Sequence, residues 1–344
     1  MRAKIEITSI YYSNMDYVEV KDLLNSAKNI VITTHYRPDG DAVGSSMALF
    51  HVLKQLNKNV TVVFPSGYAN FLAWMPDLGE NIVYDDSKES TVSNLITEAD
   101  VLFSLDYNSP ERTNKLSPML LEAKGQKIII DHHPEPNMEY ANHVFSDISY
   151  SSTCEMLYDF FTRCGYDDLI NTTVTNCLYT GILTDTGRFK YACSARLMHV
   201  VSKLYEKGLE DLKVIDQVFD SEPLTKLQFQ SHCILNRMQI FEEKGAAIIY
   251  ATEEDFKRFK YEPGFTEGLV NYPLQIKGVG FSAFVAPAEK FSKISLRSKG
   301  DFAVNSIANE HFNGGGHKNA AGGIYYANVK STVNALKDII NALN

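Results

Sequence analysis

The sequence predicts an α/β fold in which an N-terminal parallel sheet with flanking helices is followed by a linker helix and a smaller C-terminal α/β domain. Apolar strand-like runs alternate with helical patterns between residues 29 and 131, as in right-handed βαβ units. The pattern becomes helical from Ser151, and strands return near Gly245. At 344 residues the chain is long enough for two domains with separate cores. We therefore expect domains at 1–222 and 245–344, joined by a linker helix at 223–244.

The N-terminal elements are predicted from apolar periodicity and from capping residues. A helix over 16–28, N-capped by Asp16, precedes a buried strand at 29–34. A loop then leads to a helix over 42–56, for which Asp41 lies at the N-cap position. The other predicted elements of this part are strands at 59–64, 100–106 and 126–130 and a helix over 112–123.

The remaining elements follow from the same signals. One helix begins after Ser152, a second is capped by Asn171 or Thr172, and helices continue to about Phe241. The helix that begins at Pro223 is long enough to connect two domains. In the C-terminal part we expect strands at 246–251, 279–285 and 293–297, a helix that opens at Thr252, and a helix capped by Asp301 that includes Val304 and Ile307.

Composition and charge exclude several classes of protein. A net charge of −9 argues against broad, non-specific binding of duplex nucleic acid, which needs a basic surface. The five cysteines form no CxxC pair, and so they indicate reduced thiols and not a disulfide framework or a zinc ribbon. The first 14 residues lack the apolar core of a signal peptide, and no stretch is apolar for long enough to span a bilayer. We therefore expect a cytoplasmic protein.

Polar residues follow three of the predicted strands at the point where each strand ends. His35 follows the strand at 29–34, Asp106 ends the strand at 100–106, and Asp131-His132-His133 follows three isoleucines. Each of these could by itself be a polar strand exit or a turn residue. However, the carboxyl ends of parallel strands lie on one edge of a sheet, where ligands bind in open α/β folds. Their convergence favours a ligand site.

The loop that begins at His35 has the spacing H-x3-D-x-D, with carboxylates at Asp39 and Asp41. Such a set can supply oxygen ligands and one nitrogen ligand to divalent cations. The alternative is that both aspartates are only turn and cap residues. Because a cap needs one carboxylate and this loop has two, metal binding is the favoured interpretation.

Two later segments carry candidate functional residues. Asp185 lies at a predicted helix C-terminus, where a negative charge opposes the helix dipole, and this makes it a candidate for function. In the C-terminal domain, the amides of Gly314-Gly315-Gly316-His317 can form an anion-binding nest, although a flexible turn also explains the glycines. The basic face of the neighbouring strand, with Lys293 and Arg297, favours a phosphate site.

Taken together, these motifs resemble the DHH phosphoesterase superfamily, in its branch with a C-terminal DHHA1 domain. The resemblance covers nearly the whole chain in the same order, and the most similar group is that of the stand-alone oligoribonucleases and 3′-phosphoadenosine 5′-phosphate phosphatases. Asn313 departs from the pattern, since many relatives have a fourth glycine there, and this bears on substrate preference. The matching segments are His35-x3-Asp39-Gly-Asp41, Asp106, Asp131-His132-His133, Gly-Ile-Leu-Thr-Asp185-Thr-Gly, and Gly314-Gly-Gly-His317 followed by Ala320-Ala-Gly.

The resemblance implies two bound divalent cations. Mixed Asp and His ligation favours Mn²⁺, with Mg²⁺ and Co²⁺ as alternatives. The implied ligands are His35 and Asp39 for the first cation, Asp41, His132 and Asp185 for the second, and Asp106 as a bridge between them.

It also implies roles outside the metal ligands. His133 is expected to contact the scissile phosphate, and Asp131 is expected to orient an imidazole. Arg297 and the segment from Gly314 to His317 are expected to hold the distal part of a substrate in a cleft between the domains. The implied reaction is two-metal hydrolysis of short oligoribonucleotides to mononucleotides, or of 3′-phosphoadenosine 5′-phosphate to AMP.

Other functions remain open within and beyond this superfamily. One alternative is a soluble phosphodiesterase of cyclic or linear dinucleotides. An inorganic pyrophosphatase or polyphosphatase is disfavoured by the Gly-rich segment, and a non-catalytic nucleotide-binding module by the six ligand positions. An exonuclease of the RecJ type would be expected to have a further binding domain and a long basic groove. The oligomeric state is open between a monomer and a homodimer.

Overall fold

The computed structural model describes residues 11–343, which divide into two compact units. The first unit ends at Ser221 and the second begins at Glu222. Residues 1–10, which include most of the stretch without a signal-peptide core, lie outside the described residues. Between residues 11 and 343 no helix has the length and apolar character needed to cross a bilayer.

A seven-stranded sheet lies at the centre of the first unit. Its strands are β1 (Tyr11–Ser13), β2 (Asn29–Thr34), β3 (Asn59–Phe64), β4 (Ile82–Val83), β5 (Val101–Leu105), β6 (Gln126–Asp131) and β7 (His143–Asp147). Their order is β1-β7-β6-β5-β2-β3-β4, and only the pair β1–β7 is antiparallel. The parallel sheet predicted from the alternation of strands and helices is therefore confirmed.

Helices surround this sheet, and both faces are covered. The helices of the first unit are α1 (Tyr17–Ser26), α2 (Gly40–Gln55), α3 (Glu89–Glu98), α4 (Ser117–Glu122), α5 (Thr153–Arg163), α6 (Thr172–Asp185), α7 (Ala195–Glu206) and α8 (Asp211–Phe219). In β2, Ile30 and Ile32 pack into one core cluster and Val31 into another on the opposite face. Burial on both faces explains why the strands are near-continuous apolar runs.

Three predicted helix caps of the first unit are present. The carboxylate of Asp16 accepts hydrogen bonds at the start of α1, the hydroxyl of Ser152 caps α5, and the amide oxygen of Asn171 caps α6. By contrast, the helix predicted over 112–123 is interrupted, because Asn114 has a left-handed backbone with φ of 56°. A 3₁₀ segment at Pro110–Leu116 and the short helix α4 take its place.

The second unit is built on a smaller six-stranded sheet. Its elements are α9 (Leu224–Asn236), β8 (Met238–Phe241), β9 (Ala246–Tyr250), α10 (Glu253–Arg258), β10 (Phe281–Pro287), β11 (Ser292–Ser298), α11 (Val304–His311), β12 (Gly315–His317), β13 (Ala320–Tyr325) and α12 (Val329–Ala342). The strand order is β12-β13-β11-β10-β9-β8, and only β9 and β10 are parallel neighbours. The expected second α/β domain is present.

Two details of the second unit differ from the prediction. The helical pattern predicted to Phe241 ends at Asn236, and β8 follows, because its backbone groups pair with β9. Asp301 does not cap α11. Its carboxylate instead accepts a hydrogen bond from Nζ of Lys318 at 2.7 Å, while the first helical N–H, that of Val304, donates to the carbonyl of Lys318. A hairpin partner distant in sequence therefore replaces the local cap.

Candidate metal centre

The sheet register brings the strand-end residues together. Thr34 of β2 is paired with Leu105 of β5, and Leu105 is paired with Ile130 of β6. The residues that follow these three strand positions therefore start from one edge of the sheet, as the sequence predicts. These residues are His35 after β2, Asp106 after β5, and Asp131, His132 and His133 at the end of β6.

Asp106 has an unusual backbone conformation, and a buried network of hydroxyl groups lies next to it. Its φ is 62°, the left-handed region that costs a residue with a side chain about 1–3 kcal/mol. The next residue, Tyr107, is fully buried, and its hydroxyl lies 2.6 Å from the hydroxyl of Thr33 and 2.7 Å from that of Ser104. The N–H of Asp106 donates to the carbonyl of Ile130 at 3.1 Å. These bonds hold the turn in its strained conformation.

The two carboxylate oxygens of Asp106 face different imidazoles. Oδ2 lies 3.5 Å from Nε2 of His35, and that nitrogen lies 3.8 Å from Oδ1 of Asp39. Oδ1 lies 3.5 Å from Nε2 of His132. One buried carboxylate is therefore shared by two groups of potential ligands.

The second group is completed by two carboxylates from helices α2 and α6. Nε2 of His132 lies 3.2 Å from Oδ2 of Asp185 and 3.9 Å from Oδ2 of Asp41. One ligand atom from each residue lies within 4.8 Å of the others in three sets, which are His35, Asp39 and Asp106; Asp41, His132 and Asp185; and Asp106, His132 and His133. All six side chains that the sequence predicts as metal ligands are thus brought into two adjacent groups, and their role as ligands stays a prediction.

The helix cap in this loop is Asp39, and the prediction of Asp41 as the N-cap of α2 is wrong. Oδ1 of Asp39 accepts hydrogen bonds from the N–H groups of Asp41 and Ala42, both at 3.1 Å. The helix begins earlier than predicted, at Gly40, and this places Asp41 inside its first turn. The carboxylate of Asp41 is fully buried and accepts hydrogen bonds from the N–H groups of Thr153 at 2.6 Å and Cys154 at 2.9 Å.

Close packing of α2 on α6 requires two glycines. A Cβ added at Gly44 would lie 2.6 Å from the carbonyl oxygen of Cys177, and one added at Gly181 would lie 2.5 Å from Oδ1 of Asp41. Any larger residue at either position would separate the two helices. The glycines therefore allow Asp185, at the end of α6, to approach the carboxylate on α2.

Asp131 contacts one of the two neighbouring imidazoles. Its Oδ1 lies 2.7 Å from Nδ1 of His133, and its side chain is fully buried. Nδ1 of His133 also lies 3.8 Å from Oδ1 of Asp106. A carboxylate in this position fixes the ring orientation and favours the tautomer that is protonated on Nδ1.

Thr153 is a residue of this centre that the sequence interpretation missed. Its hydroxyl donates to Oδ1 of Asp106 at 3.0 Å, in addition to the bond from its N–H to Asp41. The pattern Ser152-Thr153-Cys-Glu155 predicts a helix start, and α5 does begin there. The signal available in the sequence was a second hydroxyl next to the cap, beyond what capping requires.

Burial and mutual repulsion dominate the electrostatics of the carboxylates. Burial and the neighbouring charge of Asp41 raise the pKa of Asp106 well above its usual value. The same two causes raise the pKa of Asp185 to about 7, against the effect of His132. Among the described residues, no Lys or Arg forms an ion pair with any of the four ligand-type carboxylates. The centre therefore lacks a permanent positive charge.

The imidazoles respond in the opposite direction. Burial alone would lower the pKa of His35, but hydrogen bonds and charges from Asp106 and Asp39 raise it to about 10. Burial is likewise outweighed at His132, where Asp185, Asp106 and Asp41 raise the pKa to about 10. Oxygen-rich groups with one imidazole each and an excess of negative charge have the composition of divalent-cation sites. The residues present therefore fit a pair of such cations.

The candidate substrate residues lie in the second unit. Arg297 is on β11, and its guanidinium donates to the carbonyl of Leu296 at 2.9 Å. Gly315, Gly316 and His317 form the edge strand β12, and not the loop that the sequence predicts. A Cβ at Gly316 would lie 2.6 Å from the carbonyl oxygen of Ala320, which explains a glycine in this tight hairpin.

Comparison with known proteins gives matches along most of the chain. The profile of the DHH family, N-terminal domain, matches residues 29–182, and that of the DHHA1 domain matches residues 245–344. A curated protein of Thermus thermophilus, named bifunctional oligoribonuclease and PAP phosphatase NrnA, is 29% identical over 85% of this chain and 83% of its own length.

Two solved structures are similar to this chain in fold. The crystal structure of an exopolyphosphatase-related protein from Bacteroides fragilis has a TM-score of 0.90 and 35% identity, and it covers 94% of this chain and 95% of its own. The crystal structure of the exonuclease RecJ bound to manganese has a TM-score of 0.52 and 15% identity over 95% of this chain and 94% of its own, a likeness of fold alone.

Proposed function

Because the chain belongs to the DHH family and carries the DHHA1 domain, we propose that it is a metal-dependent phosphoesterase. Its substrates are short oligoribonucleotides, which it hydrolyses to mononucleotides, and 3′-phosphoadenosine 5′-phosphate, which it hydrolyses to AMP. The observation that carries the proposal is the shared carboxylate of Asp106, which faces His35 with one oxygen and His132 with the other. The name of the Thermus thermophilus relative supports both substrates.

The proposed metal ligands are the six side chains of the two groups. Mn²⁺ is the favoured cation, because the proposed ligands combine imidazole nitrogens with carboxylate oxygens. A bound pair of cations supplies a water of lowered pKa and positive charge at the phosphoryl oxygens. The proposed ligands are His35 and Asp39 for the first cation and Asp41, His132 and Asp185 for the second. Asp106, whose two oxygens face His35 and His132, is the proposed bridge between them.

We assign contact with the scissile phosphate to His133. Because Nδ1 of this ring is held by Asp131 at 2.7 Å, Nε2 is the nitrogen that can meet a phosphoryl oxygen or the leaving group. The ring is half-buried beside Asp106, with its Nδ1 3.8 Å from Oδ1. Asp131 then acts through His133 by fixing the orientation of its ring.

We assign catalysis to residues 1–222 and substrate binding to residues 245–344, with 223–244 as the link between them. In the C-terminal part, Arg297 and His317 supply a positive charge and a hydrogen-bond donor, and Gly314, Gly315 and Gly316 belong to the proposed substrate-binding segment. The acidic chain, with a net charge of −9, is suited to short substrates held at a few points and not to long duplexes.

The test is a substrate panel with added Mn²⁺. It contains labelled dinucleotides to pentanucleotides, 3′-phosphoadenosine 5′-phosphate, cyclic di-AMP and pyrophosphate, each also assayed in chelator. We expect mononucleotides from the oligonucleotides and AMP with phosphate from 3′-phosphoadenosine 5′-phosphate, and no turnover in chelator. Faster hydrolysis of cyclic di-AMP would replace the proposed substrates with cyclic dinucleotides, and activity on pyrophosphate alone would overturn the proposal.

A further inference from the structure

The turn that follows Asp185 is basic, strained and solvent-exposed. Residues 186–194 carry two cationic side chains, Arg188 and Lys190, and no carboxylate, in a chain whose net charge is −9. Within this segment Arg188, Phe189 and Ala192 have positive φ values of 60°, 61° and 50°. Strain of this kind persists only where the surrounding structure holds it, and it is concentrated at functional sites.

Hydrogen bonds fold this turn back towards its own start. The N–H groups of Lys190 and Tyr191 both donate to the carbonyl of Thr186 at 2.8 Å, and the N–H of Phe189 donates to the hydroxyl of Thr186 at 3.0 Å. Thr186 is fully buried and its hydroxyl donates to Ile182 in α6. The turn is therefore fixed to the end of the helix that supplies Asp185.

The folded-back turn places an aromatic ring beside Gly187, two residues after Asp185. A Cβ added at Gly187 would lie 3.0 Å from Cδ2 and Cε2 of Tyr191, so the ring lies against a glycine two residues after Asp185. The side chain is nevertheless 57% exposed. Nζ of Lys190 lies 5.1 Å from the centre of the same ring. An exposed ring with an ammonium beside it combines a stacking surface with a phosphate-binding charge.

We propose that Tyr191 and Lys190 form a nucleotide subsite, in which the ring of Tyr191 stacks on a base of the substrate and Lys190 contacts its phosphate. This inference rests on the proposed phosphoesterase function and specifies how unit one recognises a nucleoside. The ligand class is a nucleoside monophosphate unit of a short oligonucleotide. Stacking is tolerant of base identity, because every base has an aromatic face.

The test compares a 5′-phosphorylated adenine dinucleotide with two analogues in which one of the two bases is replaced by hydrogen. Tyr191→Ala should raise KM for the intact dinucleotide by roughly 5- to 150-fold and leave kcat nearly unchanged. For the analogue that lacks the stacked base, the same substitution should leave KM unchanged. Tyr191→Phe, which keeps the ring, should retain the KM of the unaltered protein.

Two further variants separate the parts of the subsite. Lys190→Gln should raise KM for the intact dinucleotide and for both analogues alike, and it should weaken the dependence of KM on salt. Tyr205→Ala removes another exposed tyrosine, on α7, and should change nothing. An equal increase of KM on all three substrates in Tyr191→Ala, or no increase at all, would overturn the stacking role.

The proposed function and the subsite fail in different ways. If the unaltered protein hydrolyses none of the dinucleotides with Mn²⁺, the proposed function fails. The subsite is then decided by binding of AMP and ribose 5-phosphate, measured by calorimetry in the presence of Ca²⁺. Tighter binding of AMP that is lost in Tyr191→Ala supports it, and equal binding of the two ligands overturns it.

Discussion

The hydroxyl of Thr153 donates a hydrogen bond to Oδ1 of Asp106 at 3.0 Å, although the two residues lie on different elements. The same residue donates its N–H to Asp41 at 2.6 Å. One helix N-terminus therefore holds the shared carboxylate and a carboxylate of the second ligand group together. The N-terminus of α5 therefore helps to position two carboxylates of the candidate metal centre.

Thr153→Val should weaken metal binding without unfolding the protein. A hydrogen bond to a charged group contributes about 1.5–3 kcal/mol, so we expect the Mn²⁺ concentration for half-maximal activity to rise at least tenfold. Thr153→Ser keeps the hydroxyl and should restore the original value. Calorimetric titration of Mn²⁺ gives the same comparison without turnover, and equal affinities in Val and Ser variants would contradict the role.

Asp106→Asn should abolish turnover, since each proposed cation loses a charged ligand. In chelator the same variant should be more stable than the unaltered protein at pH 8, because burial and repulsion from Asp41 oppose ionisation of this carboxyl. Thermal unfolding with and without Mn²⁺ measures both effects. Retained Mn²⁺-dependent activity would remove the bridging assignment.

Asp131→Asn should lower kcat far more than it changes Mn²⁺ affinity. The amide can no longer hold Nδ1–H of His133 in the orientation that the 2.7 Å contact now fixes, so the tautomer changes. We expect a loss of about 10²-fold or more in kcat. A matched fall in Mn²⁺ affinity would instead indicate that Asp131 serves the metal groups.

Binding of divalent cations should release protons at pH 7.5. The pKa values of His35 and His132 are both raised to about 10 by neighbouring carboxylates, so both rings are protonated in the metal-free protein. A ligating imidazole must be neutral, so both rings give up a proton, and the buried carboxyl of Asp106, whose pKa is also raised, adds to the release. Calorimetric titrations in buffers of different ionisation enthalpy count them. Release that does not decline above pH 10 would contradict these pKa shifts.

The stability of the metal-free protein should fall as pH rises towards 10. The folded-state pKa values of these imidazoles lie above the ordinary value of 6.5, so their contribution is complete below pH 6.5 and is lost through about pH 10. Asp185, whose pKa is raised to about 7, lowers the free energy of unfolding in the same direction, because its ionisation in the folded state is unfavourable between about pH 4 and 7. Denaturant unfolding in chelator between pH 5 and 10 measures the slope.

In the second unit, Arg237→Ala should destabilise the fold by about 3–5 kcal/mol, because it leaves the buried carboxylate of Asp255 without its bidentate partner. Burial would raise the pKa of Asp255, but hydrogen bonds from Arg237 and Thr252 lower it well below its usual value. The stabilisation is thus present above about pH 4 and is lost as pH falls further. The difference between the variant and the unaltered protein should shrink in acid, and a pH-independent difference would contradict this origin.

Much of the fold follows from local signals in the sequence. The buried strands are apolar runs because both faces of the sheet are covered, and such runs are visible without a structure. The caps at Asp16, Ser152 and Asn171 are equally local, since each carboxylate, hydroxyl or amide oxygen accepts a hydrogen bond from an N–H two or three residues away. The positions of the strand-end residues then follow from the rule that parallel strands share an edge.

The sequence by itself therefore determined the α/β class and the six side chains that meet at the sheet edge. Only the tertiary structure decided that Asp39 and not Asp41 caps α2, that Thr153 binds Asp106, and that β12 is an edge strand. The physical reason is distance along the chain. The N–H that binds the Asp41 carboxylate belongs to Thr153, 112 residues away along the chain. Packing decides whether a carboxylate accepts a hydrogen bond from a local or from a distant N–H, and no local pattern of residues records that packing.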